Sequence, residues 1–239
     1  MMEKDNIVNS QNVETDDAKT LFVSTFVDKE DAEIVAILSA WLSNGMQGEE
    51  YALHTIVDEI MQGKPSEYVK NYAPYMNFGD VAGNQCFFRI FSYGNMDALI
   101  QAIKRVKQKY GSFQKAVELV LSKKKRFKYI HEAFAFLIGG NNTMFPTRKS
   151  NGTFYRYNLL YYLLAYKLRI WESFKFDDKA LLPCNDKVFE NALKKNITKR
   201  KWKSTLINVE ALTSTAKSMF GDSTDEYFKL YDILFFCND

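Results

Sequence analysis

The chain has 239 residues, 46% hydrophobic and 26% charged, with a formal net charge of +3, the composition of an ordinary soluble protein that can bury a core without staples. No apolar run approaches the roughly 18 residues of a membrane span, and low counts of 4 Pro and 11 Gly argue against a turn-rich β architecture. The polar, acidic opening up to Asp17 is unlike a secretory signal. Three distant cysteines, Cys86, Cys184 and Cys237, form no C-x-x-C pair, so a cytoplasmic protein with reduced, buried thiols is expected.

Residues 1–17 carry no hydrophobic period and read as a disordered arm, with a single α-helical domain over 18–239. Asp28 caps a helix from Lys29 to Asn44 whose first turn carries Glu30, Asp31 and Glu33, charges that a helix N-terminus favours. Ile34, Ile37, Leu38, Trp41 and Leu42 share its apolar stripe, and Gly45 closes it. A second helix, Glu49 to Gln62, turns Leu53, Ile56, Val57, Ile60 and Met61 inward and stops at Gly63. Lys64-Pro65-Ser66 opens a short helix that ends before Pro74. Phe87 to Tyr93 has strand-like content, but helical neighbours favour a short helix.

Asn95 is expected to cap Met96 to Tyr110, with Leu99, Ile103 and Val106 buried. Ser112 caps the next helix, followed by a solvated run, Lys123 to Arg126. Tyr129 to Ile138 is apolar on most sides and reads as a central helix. A loop, 141–152, then divides two lobes, roughly 18–140 and 153–239. Phe154 to Trp171 is the most aromatic helix. Asn185 caps a helix from Lys187, Thr198 caps a long one to Phe220, and Ser223 to Glu226 is a capping box for the last.

The charge is unevenly placed. Up to residue 100 there are 6 Lys and Arg against 16 Asp and Glu; beyond it there are 26 against 13. A basic second half is what a polyanion-binding surface needs; the alternatives are two opposed halves that face each other or simply solvate the protein. Lys194 to Lys203 holds six basic residues and Trp202 at a helix junction, where ammonium and backbone N–H groups meet a phosphate. The bland reading keeps Trp202 in the core and the lysines in water.

Only two histidines exist, His54 and His131, both inside expected helices, and no spacing suits a metal, a nucleotide loop or a hydrolytic triad. No cofactor or metal is expected. In the loop 181–189, Asn185 and Asp186 stand at a helix start, where a carboxylate would be held ionised; equally, they are an N-cap and a first-turn charge.

Lys29 to Gly45, Lys64-Pro-Ser-Glu-Tyr-Val69, Phe88 to Leu99, Arg156-Tyr-Asn158, Trp171, Leu182-Pro183, Lys199 to Lys203 and Tyr231 to Phe236 follow one another in an order that resembles the bacterial domain of unknown function 2400 family. That family is similar, in its C-terminal half, to helix-hairpin-helix DNA glycosylases of the archaeal 8-oxoguanine type. The resemblance implies an all-α fold of two packed helical lobes with a cleft between them. It also implies a lysine that attacks the sugar of a flipped nucleotide, activated by an aspartate.

This chain departs from that pattern. Asn185 stands where the aspartate belongs, Lys187 where its following histidine belongs, and Tyr155 where the lysine belongs. An amide cannot act as a carboxylate, and a phenol cannot form a Schiff base. The resulting expectation is a DNA-binding protein with a degenerate catalytic site. Arg156, Asn158, Asn185 and Lys187 would line its cleft, and Lys199, Arg200, Lys201 and Lys203 would contact phosphates. The rivals are an active glycosylase or lyase using Asp186 with Lys149 or Lys167, and a non-catalytic protein-interaction module.

Overall fold

The computed structural model describes residues 18–43, 48–123, 127, 130–139, 145, 155–171 and 228. The described chain is mostly helical: α1 (Ala18–Ser24), α2 (Lys29–Leu42), α3 (Glu49–His54), α4 (Pro65–Asn71), α5 (Tyr93–Tyr110), α6 (Phe113–Lys123), α7 (Ile130–Leu137) and α8 (Tyr155–Tyr161), with two short strands, β1 (Cys86–Phe88) and β2 (Phe91–Ser92).

α2 is the central helix. Its cap is the expected one: the Asp28 carboxylate accepts from the backbone N–H of Glu30 at 2.7 Å and of Asp31 at 3.1 Å, which satisfies two donors left open at a helix start. Every residue from Ala32 to Leu42 is buried. The helix is therefore surrounded rather than amphipathic, with α1, α3, α4 and α8 packed around it. Tyr129–Ile138 reads as central from its composition; the observed α7 is largely buried, packed on α6 and, through His131 and Phe134, on Tyr157. Asp31 reaches across to accept from the backbone N–H of Ser66 at 2.6 Å, and so ties the start of α4 to α2.

Two helices change pitch before they end. α3 runs straight into a π segment, Thr55–Ile60, and α8 into another, Tyr162–Lys167. Both finish alike. The N–H of Met61 bonds the Ile56 carbonyl and that of Leu168 bonds the Leu163 carbonyl, each five residues back and 2.9 Å long. The next residue of each, Gln62 (φ 55°) and Arg169 (φ 50°), is left-handed, and the one after it bonds six residues back, Gly63 to Val57 and Ile170 to Leu164. This is a widened form of the left-handed helix stop. The expected inward stripe survives the change of pitch, with Leu53, Ile56, Val57 and Met61 buried and Ile60 partly so.

Phe87 to Tyr93 is not the short helix that its neighbours suggest. It forms an antiparallel hairpin that pairs Cys86 with Ser92 and Phe88 with Phe91, turning at Arg89, whose φ of 49° no helix accommodates. The reversal lays Phe91 and Phe87 against Trp41, with ring centroids 4.9 and 6.0 Å away. α5 then starts three residues earlier than expected. Its cap is Ser92, not Asn95: the Ser92 hydroxyl accepts from the Asn95 N–H at 3.2 Å, while Asn95 answers from the third helical position. The loop before the hairpin satisfies two further donors, Tyr93 N–H to the Gln85 carbonyl at 3.0 Å and Gly94 N–H to the Gly83 carbonyl at 2.7 Å.

Cys86 is exposed, a correction to the expectation of buried thiols: it lies on an edge strand beyond the aromatic layer. Cys184 and Cys237 lie outside the described residues. One apolar cluster joins α1 through α8 to Phe145 and Phe228. Among the described residues, no helix is long and apolar enough to cross a membrane.

Candidate functional site

Burying a polar side chain costs free energy unless it is satisfied, so the polar groups inside this apolar body mark where the fold holds chemistry in place. Among the described residues they are Glu33, Ser39, Ser43, Glu49, Asp97, His131, Arg156 and Asn158.

Arg156 and Asn158, both expected at a cleft, sit on α8 with only 9% and 1% of their surface exposed. The Arg156 Nε donates to the Ser43 carbonyl at 2.8 Å, so a cation caps the C-terminal end of α2, where the helix dipole favours it. Its guanidinium also lies 5.7 Å from the centre of the Phe91 ring. Burial lowers the Arg156 pKa from its ordinary value, and the charge of buried Glu49 at the start of α3 opposes that shift. α2, α3, α8 and the hairpin therefore meet at one guanidinium. Next along α8, burial raises the Tyr157 and Tyr161 phenols well above their usual range, so both stay protonated.

A second junction is built on Glu33. The sequence places this residue among the first-turn charges of α2, but it is buried because it falls on the side that meets α5. Its Oε2 accepts from Lys107 Nζ at 3.1 Å and from the Phe113 backbone N–H at 3.5 Å; its Oε1 accepts from the Trp171 indole N–H at 2.8 Å. One carboxylate thus holds the end of α5, the start of α6 and the segment after α8. Asp97 does similar work nearby, accepting from the Tyr72 hydroxyl at 2.6 Å, the Tyr75 N–H at 2.9 Å and the Gln101 amide at 2.7 Å. Burial, and then that hydrogen bond to Asp97, raise the Tyr72 pKa.

The two histidines differ. His131 is buried beside Tyr157, ring centroids 5.5 Å apart. His54 is part exposed, its Nδ1 2.8 Å from Asp58 Oδ2 and its ring 3.9 Å from that of Phe22. Among the described residues, no three of His, Cys, Asp and Glu are grouped as a metal ion requires. Lys167 closes the second π segment with its Nζ 5.9 Å from the Tyr162 ring centre. Tyr155 is the first residue of α8. Lys149, Asn185, Asp186, Lys187, Lys199, Arg200, Lys201 and Lys203 lie outside the described residues.

The basic character of the second half begins on described, exposed side chains: Arg105 and Lys109 on α5, Lys115 and Lys123 on α6. None of the four has a carboxylate of the described residues within ion-pair distance. Composition had already shown the imbalance. The Glu33 and Asp97 junctions have no local signal in the sequence, because Lys107, Phe113 and Trp171 reach Glu33, and Tyr72 and Tyr75 reach Asp97, from distant parts of the chain.

No curated protein and no solved structure matches the chain. A family model described as "Protein of unknown function (DUF2400)" matches residues 20–225. That stretch takes in every described residue from Thr20 to Trp171, both buried junctions included, and on it the chain belongs to the DUF2400 family.

Proposed function

We propose that this protein binds nucleic acid, DNA in the first instance, on a helical body of two glycosylase-like lobes whose base-excision machinery is lost or relocated. The observation that carries the reading is the set of exposed cations without carboxylate partners, Arg105, Lys109, Lys115 and Lys123. They open a half-chain in which 26 Lys and Arg face 13 Asp and Glu. Cations not neutralised by a carboxylate can exchange their counterions for phosphates, which is the source of sequence-independent affinity. The segment Lys194–Lys203, with six basic residues and Trp202, extends the same chemistry with a ring on which a base can stack.

The loss of excision chemistry rests on residue identity. Asn185 and Tyr155 stand at the positions of the resembled family's carboxylate and amine, and neither can perform the required step. Arg156 and Asn158, held rigidly on α8, would then shape the cleft rather than react.

Fluorescence anisotropy with labelled duplexes, one plain and one carrying an abasic site, tests the reading across a salt series. Binding should weaken steeply with salt, with a slope that reports the number of phosphates contacted, and replacing Arg105 and Lys109 together by Gln should reduce that slope by about 2. No binding at low salt overturns the proposal.

A further inference from the structure

α2, α4 and α5 do not close completely on one another, and the gap between them is a groove of about 520 Å³, a size at which proteins hold small ligands. Buried Ile34 and Val69 back it, and Ser66, Lys70, Lys104 and Gln108 stand around it. The charges are unequally satisfied. Glu67 on the rim is 3.2 Å from Lys64, and Glu30 is 3.7 Å from Lys107, which also holds buried Glu33 at 3.1 Å. Three lysines and two carboxylates line the groove, and the two lysines with no described carboxylate in range are Lys70 and Lys104.

Lys104 is half-buried and its ammonium donates to a neutral acceptor, the Tyr72 carbonyl, at 2.7 Å. A half-buried cation with only a carbonyl partner keeps two N–H donors and an uncompensated charge. The Ser66 hydroxyl makes no hydrogen bond of its own, since that residue engages Asp31 through its backbone. Ammonium groups from α4 and α5 that line one groove act as point charges with rotatable donors, which suits an anion with several acceptor oxygens such as a phosphate.

The geometry points to a binding site for the phosphate of a small phosphomonoester, held by Lys70 and Lys104 with Ser66 and Gln108, its organic part lying along the aliphatic stems of the groove's long side chains and Gly111. This site is separate from the cations assigned above to nucleic acid and does not depend on that assignment.

The test is a titration of the full chain with inorganic phosphate, adenosine 5′-monophosphate, adenosine and a short DNA duplex, followed by calorimetry and by ³¹P line broadening. Wild type should bind the monophosphate more tightly than inorganic phosphate and should ignore adenosine. Lys70→Gln and Lys104→Gln should each weaken monophosphate binding about tenfold, the loss of one charge-assisted hydrogen bond. Glu67→Gln, which removes a rim carboxylate and frees Lys64, should tighten it. Lys70 is exposed and makes no contact that folding needs, so its variant remains informative even if Lys104→Gln loosens α4. Unchanged affinity in the Lys70 variant, equal binding of adenosine, or a response to the duplex alone each overturns the proposal.

Discussion

Replacing Glu33 tests whether the buried junction is one coupled unit. The carboxylate is 3% exposed and the ammonium of Lys107 12%, so solvent screens their attraction poorly. Removing one partner of a buried pair costs about 3–5 kcal/mol, because the other charge stays desolvated and alone. Here the cost is moderated, since Glu30 remains 3.7 Å from Lys107 and is 64% exposed. Glu33→Ala also strips the Trp171 indole of its acceptor, so about 3–5 kcal/mol is expected for it. Glu33→Gln preserves volume and an acceptor and should cost about 2 kcal/mol, a hydrogen bond to a charged group. Lys107→Met should cost a similar amount. The double variant, with neither charge, should be more stable than the sum of the singles predicts by about 1–3 kcal/mol. Urea unfolding followed by far-ultraviolet circular dichroism measures all four. Costs that add to within about 0.5 kcal/mol would refute the idea that Glu33 and Lys107 stabilise one another across α2 and α5.

Three further outcomes follow from local geometry. A Cβ on Gly94 would lie 2.6 Å from the Gly83 carbonyl oxygen, a backbone atom that must move, so Gly94→Ala should lower stability by about 1–3 kcal/mol in the same urea assay. Burial, and then the charge of Asp97, push the Tyr68 pKa up to about 12; the folded state keeps its proton longer than the unfolded chain, so this stability is intact below pH 10 and is lost as pH rises from 10 towards 12. Tyr68→Phe should delete a phenolate absorbance step near pH 12 and flatten the alkaline fall in melting temperature; an unchanged titration curve contradicts the assignment. Gln62→Gly and Arg169→Gly, at positions with φ of 55° and 50°, should leave stability equal or raise it by up to about 1 kcal/mol, and thermal melts that fall instead would show that these side chains hold something the backbone strain is offset by.

The helices were legible where one residue settles the matter alone. Asp28 before an apolar stripe and Pro65 opening α4 both act within a turn of their own position, and each boundary stands within a residue or two of its expected place. Phe87–Tyr93 failed because helical neighbours are a weak argument against a hairpin: what decides it is the Trp41 ring, 46 residues before Phe87 in the chain, which the two strands cover. Asn95 reads as the cap in the sequence because nothing local announces the hairpin that lets Ser92 begin the helix. Glu33 misled for a different reason. A carboxylate in a first turn has a sufficient local explanation, and only the approach of α5 and Trp171 reveals the stronger one. Of the candidate site, the burial of Arg156 was not legible, since its partner is a backbone carbonyl at Ser43 that no side-chain pattern announces.

The two π segments bear on how this chain tolerates changes of length. An α-helix turns by about 100° per residue, so removing one residue from the middle of α2 would swing half of its buried face away from its neighbours. A π turn already contains one residue more than the α turn it replaces. Losing one residue between Thr55 and Ile60, or between Tyr162 and Lys167, would relax that turn to an ordinary one while Leu53 and Met61, or Tyr161 and Leu168, stay in phase with the core. Of the helical segments described, these two are where relatives of different length can be accommodated with the packing around α2 preserved.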